Sequence, residues 1–340
     1  MVFVTGGTGF LGAHLLYQLL VNKAHIKALR RSNSNENLLR RVFGFYHKNP
    51  KDLIDKIEWI EGDLLDIYSL EDILNDVSTI YHAAATVSFQ PADKDIMMQT
   101  NIEGTANLVN IANEKKIKKF CHVSSIAAIG RADNDNTIDE ETRWRASKRN
   151  STYAVSKYGA EREVWRGIEE GLNAVIVNPS IILGPGEVNS GSGKLIKTML
   201  DGLKFYTSGI NGYVDVRDVV KAMILLVDSK ISGERFILSA ENLSYRELFE
   251  MIAEEIGKSP PAYKASKWMG EVAWRIEHIK GKLTGTKPLI TKETANTAVN
   301  IYRYSNHKIT GQLDFQFIPI QQTIKEACEY YLNNLVNIND

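Results

Sequence analysis

An α/β architecture, in which a doubly wound parallel sheet carries a smaller, interleaved C-terminal α/β substrate domain, is the fold class this sequence predicts. Three observations predict it. Short β-rich runs alternate with helix-like segments from the first residues onward, a glycine-rich turn separates the first strand from the first helix, and the alternation loosens after Asn178-Pro179.

Val2-Phe-Val-Thr5 reads as a strand, Leu11 to Val21 as a helix and Ile26-Lys-Ala-Leu29 as the next strand, followed by a polar region and the run Ile57-Glu-Trp-Ile60. Leu70 to Asn75 is a predicted helix, Thr79-Ile-Tyr-His82 a strand, Thr100 to Lys116 a long helix, Phe120-Cys-His-Val123 a strand and Tyr153 to Gly171 a helix. Ala174-Val-Ile-Val177 closes the set. Gly and Ser then crowd into Gly184 to Gly193, Tyr213 to Val227 again reads as strand and helix, and Ser259 to Pro261 is a break. The domains predicted are therefore interleaved: residues 1–178 with 213–228 returning to them, and 179–212 with 229–340 as the mainly substrate-binding part. Trp268, Val272, Trp274, Ile276 and Ile279 recur at helical spacing, as in a packed amphipathic helix or a substrate lid.

Bulk properties narrow the partners. The 340 residues are 44% apolar, and 41 Lys plus Arg balance 41 Asp plus Glu, so no global field favours nucleic acid or an anionic membrane. No apolar run approaches the roughly 18 residues of a membrane span. The apolar strand pattern begins at Val2, which leaves no room for a secretion signal, and the two cysteines are far apart, with Cys121 inside an apolar run; both features fit a cytoplasmic protein. The seven histidines show no metal-ligand spacing, so no metal is expected.

Val4-Thr-Gly-Gly-Thr-Gly-Phe-Leu-Gly12 places Gly6, Gly9 and Gly12 at a fixed spacing that 24 glycines in 340 residues would produce by chance only about 0.1 times. Its position between strand and helix makes it a Rossmann-type dinucleotide turn. Gly6 allows the tight turn, Gly9 lets backbone approach a pyrophosphate, and Gly12 permits close helix packing with the helix N-terminus toward the negative charge. Thr8, Phe10 and Leu11 belong to the same cofactor-binding stretch. Where NAD is preferred the second strand ends in a carboxylate for the ribose 2′-OH. Here it ends in Arg30-Arg31, which can pair with a 2′-phosphate, so NADP is expected ahead of NAD. Asp63 and Leu64 follow the third strand, where a carboxylate can accept from the adenine amino group, and Ala83, Ala84 and Ala85 leave space for the coenzyme after the fourth.

Three Tyr-x-x-x-Lys pairs occur: Tyr153 with Lys157, Tyr263 with Lys267, and Tyr304 with Lys308. Context selects the first, because only Tyr153 opens a helix after a strand that ends in Ser124-Ser125. Residues at i and i+4 share a helix face. A free phenol has a pKa near 10, and a nearby Lys157 ammonium is expected to lower it, by two to three units or about 3–4 kcal/mol. Tyr153 would then give its proton to a carbonyl oxygen as hydride reaches the carbon, with Ser125 holding that oxygen.

Taken together, the glycine turn, Asp63, His82-Ala-Ala-Ala85, Asn101, Ser124-Ser125, Tyr153/Lys157, Asn178-Pro-Ser-Ile-Ile-Leu-Gly-Pro-Gly186 and Tyr213-Val-Asp-Val-Arg-Asp218 resemble, in order and spacing, the extended short-chain dehydrogenase/reductases. The arginine after the second strand makes the chain look most like the dihydroflavonol 4-reductase-like branch. The resemblance implies an NADP-dependent oxidoreductase acting on a small carbonyl or alcohol, as monomer or homodimer. It assigns catalysis to Ser125, rather than Ser124, with Tyr153 and Lys157. It places Asn101, Lys157, Pro179 and Ile181 along the coenzyme.

Other readings fare less well. A nucleotide-sugar dehydratase would carry acidic residues after the catalytic hydroxyl, whereas Ile126 and Ala127 stand there; an epimerase would retain NAD, against Arg30; a non-catalytic NADP sensor tends to lose the tyrosine or lysine, and both are present. Gly191-Ser-Gly-Lys194 lacks the remaining features of a nucleoside-triphosphate loop. Arg143, Arg145, Lys148 and Arg149 crowd around Trp144 ahead of Tyr153, either as a solvated loop or at the substrate mouth.

Overall fold

A computed structural model of the chain describes residues 1–131, 137–147, 150–189, 191–266, 268–272, 274–275 and 298–336. The first part of the chain runs β1 (Val2–Thr5), α1 (Phe10–Val21), β2 (Ile26–Arg30), α2 (Asn37–Tyr46), α3 (Lys51–Ile54), β3 (Glu58–Glu61), α4 (Ile67–Ile73), β4 (Thr79–His82), α5 (Lys94–Met98), a π-helical turn (Gln99–Glu103), α6 (Gly104–Glu114), β5 (Lys119–Val123), α7 (Thr152–Glu169) and β6 (Ala174–Pro179). It continues through β7 (Ile181–Leu183), α8 (Gly191–Leu200), β8 (Phe205–Tyr206), β9 (Ile210–Asp215), α9 (Val216–Asp228), β10 (Glu234–Leu238), β11 (Glu241–Ser244), α10 (Tyr245–Glu255), β12 (Tyr263–Lys264), α11 (His307–Leu313) and α12 (Ile320–Val336).

A seven-stranded sheet in the order β3-β2-β1-β4-β5-β6-β10, parallel throughout, forms the centre. Its inner strands are largely buried on both faces, as a sheet covered by helices on each side requires. The period of two is visible in the core. Val4, Tyr81, Cys121 and Val175 pack with Leu15, Leu16, Phe43, Val219 and Met223 on one side. Phe3, Ile80, Phe120 and Ile176 pack with Leu70, Leu108, Ile111 and Val164 on the other. Cys121 and Cys328 are both buried free thiols. A smaller sheet, β11-β9-β7, and the β12-β8 pair belong to a third cluster built around Tyr213, Leu248, Ile324 and Tyr331.

Four details differ from the sequence expectation. The polar region after β2 contains α2, whose Leu39, Val42 and Phe43 face α1 while its arginines face solvent. The long helix expected from Thr100 is broken at its start by the π-helical turn around Asn101. Residues 229–340 were expected to belong mainly to the substrate part, yet β10 pairs with β6 and extends the main sheet. Conversely β9, expected to return to the first unit, joins the small sheet, and only α9 packs back against α1. A five-residue strand takes its place from a long-range pairing, which local pattern does not record.

Among the described residues no helix is long and apolar enough to cross a membrane, and no group of three or more His, Cys, Asp or Glu is arranged to hold a metal.

Candidate active site

In an open parallel sheet ligands bind beyond the carboxyl ends of the strands where the chain order reverses. Here that point lies between β1 and β4, and both ends carry the residues expected. Gly6 has φ +75°, a left-handed conformation, and a Cβ there would lie 2.6–2.8 Å from the backbone of Ala83 and Ala84. Ala84 donates its N–H to Thr5 Oγ1 at 3.2 Å, so the β4 end is tied to the β1 end. A Cβ on Gly12 would stand 2.0 Å from the Gly6 carbonyl oxygen, whereas one on Gly9 would meet only that oxygen, at 3.2 Å. Gly9 is the N-cap of α1, with no side-chain cap and no acidic residue in the first turn. A glycine cradle under an uncapped helix N-terminus suits a dinucleotide pyrophosphate. Thr8, Phe10 and Leu11 lie in and just after this turn, and Phe10 also packs against Gly186.

Beyond the turn, Arg30 closes β2, ion-pairs with Glu36 and lies 5.6 Å over the Trp59 ring; Arg31 is exposed. Asp63 is exposed and accepts from the Leu65 N–H, while Leu64 turns its side chain into the core and gives its carbonyl to Asn107. Asn101, in the π-helical turn, is buried and satisfied by protein: Oδ1 accepts from Thr86 N at 2.7 Å, and Nδ2 donates to Thr86 O and Ser156 Oγ, each at 3.0 Å. It fixes the loop after Ala85 against α7. Pro179 ends β6 and Ile181 starts β7 beside it.

Tyr153 and Lys157 project from the start of α7, where Ser151 caps the helix by accepting from Ala154 N. Ser125, just past β5, faces the Tyr153 phenol, and Phe89 meets the same ring edge-on at 5.8 Å. Lys157 Nζ donates to Val123 O at 2.7 Å. Burial lowers the Lys157 ammonium to about 8, with Glu161 opposing the shift, so the side chain is mostly charged at pH 7. The Tyr153 phenol, expected to be lowered by Lys157, is instead raised: burial disfavours the phenolate more than the nearby Ser125 favours it.

The sequence reading missed the group beneath this pair. Glu161, one turn beyond Lys157 and 2% exposed, accepts from Ser124 Oγ at 2.5 Å, Asn178 Nδ2 at 2.7 Å, Arg235 Nη1 at 3.0 Å and Trp165 Nε1 at 3.2 Å. Asn178 also donates to Ser125 O at 3.0 Å. The carboxylate thus ties together the ends of β5 and β6, β10 and α7, and leaves Ser124 fully engaged while Ser125 meets Tyr153. Its place at i+4 from Lys157 was the available signal.

Of the other Tyr/Lys pairs, Tyr304 is buried and Lys308 pairs with Glu234, while Lys267 lies outside the described residues. Trp144 stacks on Tyr158 at 4.4 Å, and with Trp165, Arg235 and Lys308 it lines a groove of about 700 Å³ that includes neither Tyr153 nor the glycine turn. Lys148 and Arg149 of that loop, like Ile276 and Ile279, lie outside the described residues.

Three buried histidines set an acid limit. His82, between Thr5 Oγ1 (2.7 Å) and Thr105 Oγ1 (2.9 Å), is lowered to about 3, chiefly by burial; His14, between Tyr46 and Pro185, to about 4; His122, 5.2 Å from the His82 ring, well below its usual value. Folded-state values below the unfolded 6.5 mean stability held above pH 6.5 and lost as pH falls toward 4 and 3. We expect urea unfolding at pH 4.5 to show a loss on the order of 2 kcal/mol per histidine relative to pH 7. His14→Gln should flatten the profile; an unchanged slope would exclude that imidazole.

The chain is similar to several known proteins. An NAD-binding family model described as male sterility protein matches residues 4–229. A Synechocystis protein provisionally named a dihydroflavonol 4-reductase is 28% identical over 98% of this chain and 94% of its own. Sterol demethylase protein B of Methylococcus capsulatus is 30% identical over 76% of this chain and 75% of its own. Cinnamoyl-CoA reductase 1 of Petunia hybrida is 27% identical over 96% and 90%. Among solved structures, gox2253 is 30% identical with a TM-score of 0.80 over 98% of both chains. UDP-glucose 4-epimerase from Thermotoga maritima, at 20% identity, shares the fold, with a TM-score of 0.78 over 98% of this chain and 99% of its own.

Proposed function

The chain belongs to the extended short-chain dehydrogenase/reductase family, within the NAD-dependent epimerase/dehydratase superfamily, and from that premise we propose that it reduces a ketone or aldehyde to an alcohol, reversibly, with NADP as coenzyme and Tyr153 as proton donor. It is an NAD(P)-dependent oxidoreductase of the dihydroflavonol 4-reductase-like kind. The observation that carries the finer reading is the placement of Ser125 beside the Tyr153 phenol, with Lys157 one helical turn away.

Bound reduced coenzyme supplies a hydride to the carbonyl carbon. Gly6, Gly9 and Gly12 would hold its pyrophosphate, and Arg30 with Arg31 its 2′-phosphate. Ser125 donates a hydrogen bond to the carbonyl oxygen and orients it beside the phenol. Tyr153, raised by burial, keeps its proton at neutral pH and releases it to that oxygen as negative charge builds there. The Lys157 ammonium then offsets the phenolate left behind. The reductase names of the full-length relatives support this direction.

The test is consumption of NADPH and NADH across aromatic ketones, aliphatic aldehydes and 4-keto nucleotide sugars. NADPH should be consumed with a simple carbonyl, and Tyr153→Phe should lower the rate by about 10²–10⁴ while still binding coenzyme. Turnover of keto-sugars alone, with NADH preferred, would transfer the assignment to sugar-nucleotide chemistry. Coenzyme binding without turnover of any carbonyl would make the chain a sensor.

A further inference from the structure

The adenosine side of the cleft holds its own anion. Arg30 ends β2, Arg31 follows, and Arg40 lies in the first part of α2. Glu36, the N-cap of α2, ion-pairs with Arg30 Nη1 through one oxygen and lies 3.8 Å from Arg40 Nη2 through the other. A short turn aims it there: the Ser34 N–H donates to Arg31 O at 2.9 Å, Ser34 Oγ accepts from Arg31 N at 3.0 Å, and Asn35 Oδ1 accepts from Asn37 N at 2.8 Å. Arg30 is therefore held on its face by Trp59 and on its edge by a carboxylate.

Two anions do not share one exposed guanidinium without repulsion, while a carboxylate and a hydroxyl form an ordinary hydrogen bond. A coenzyme 2′-phosphate would have to take Arg30 from Glu36, whereas a 2′-hydroxyl could donate to Glu36 in place. We propose that Glu36 is the residue that sets how strongly this protein distinguishes the 2′-phosphorylated coenzyme from the unphosphorylated one. It supplies, six residues further on, the acidic group that the end of β2 lacks, and so moderates the preference that Arg30 creates. This rests on the reading that Arg30 faces the adenosine ribose.

The test is direct titration of the full chain with NADPH and with NADH, followed by tryptophan fluorescence or calorimetry, so that no substrate is needed. Glu36→Gln should tighten NADPH about fivefold, as removal of a competing, partly exposed ion pair predicts, and leave NADH unchanged or weaker. In an Arg30→Gln background the same substitution should give no gain. An unchanged melting temperature of the Glu36→Gln variant serves as the check that the turn still folds. Equal changes for both coenzymes, no change for either, or a gain that persists without Arg30 would overturn the assignment. A wild-type protein that binds NADH more tightly than NADPH would defeat the NADP reading instead, and the change in ratio on Glu36→Gln would still decide the role of Glu36.

Discussion

Glu161→Ala is expected to cost about 3–5 kcal/mol of folding stability, because it removes one member of a buried ion pair and strands the rest. The carboxylate is 2% exposed and takes four donors from three other parts of the chain and its own helix. Without it, Arg235 keeps the Glu140 and Thr142 carbonyls but loses its counter-charge, and Ser124 loses its acceptor. Lys157 also loses the charge that opposes its downward shift, so its ammonium would titrate still lower. Glu161→Gln keeps the volume but turns an N–H₂ toward donors, and should fall between the two. Urea unfolding at pH 7 measures the effect. A loss below about 1 kcal/mol would mean that water replaces the carboxylate and that the knot is not structural.

Gly12→Ala should have an effect of comparable size for a different reason. Its Cβ would stand 2.0 Å from the Gly6 oxygen, 2.7 Å from the Gly6 carbonyl carbon and 2.9 Å from the Gly7 Cα, all backbone. Either α1 or the turn must move, at about 3 kcal/mol, and coenzyme affinity should fall with it by more than about 100-fold. Gly9→Ala is the contrast. Gly9 has φ −85° and its Cβ would meet one atom at 3.2 Å, so the chain should fold within about 1 kcal/mol of wild type. Its methyl would nevertheless lie in the phosphate path, so affinity should fall without stability. Circular dichroism melting beside coenzyme titration separates the two cases. If both variants bound coenzyme like wild type, the turn would not be the pyrophosphate site.

These two positions also show what a sequence can carry. The glycine turn, and Tyr153 with Lys157, are written in short windows whose spacing matches a helical turn or a strand-to-helix crossing. Most strand positions were legible for the same reason, as the alternation of Phe3 with Val4 or Phe120 with Cys121 already sorts side chains to two faces. Glu161 was not, because apart from Trp165 its partners lie 17, 37 and 74 residues away, on β6, just past β5 and on β10. The direction of the Tyr153 shift was not legible because burial is a property of the folded chain, and here it outweighs the favourable influence of the nearby Ser125. Glu36 was hidden likewise: only the turn from Arg31 to Asn37 brings it back to Arg30.

Placement of β10 at the margin of the main sheet has a consequence for how the protein must be made. Because the outer edge of β6 is covered by β10 and not by an earlier strand, a cut just after β6 does not yield a closed N-terminal unit. A fragment ending at Asn178 would leave the ladder groups of an apolar strand, Ala174 to Val177, open to any neighbouring chain. During synthesis from the N-terminus, that edge waits uncovered for some sixty further residues. Until Leu238 has left the ribosome the nascent chain carries this open edge, which a chaperone can shield.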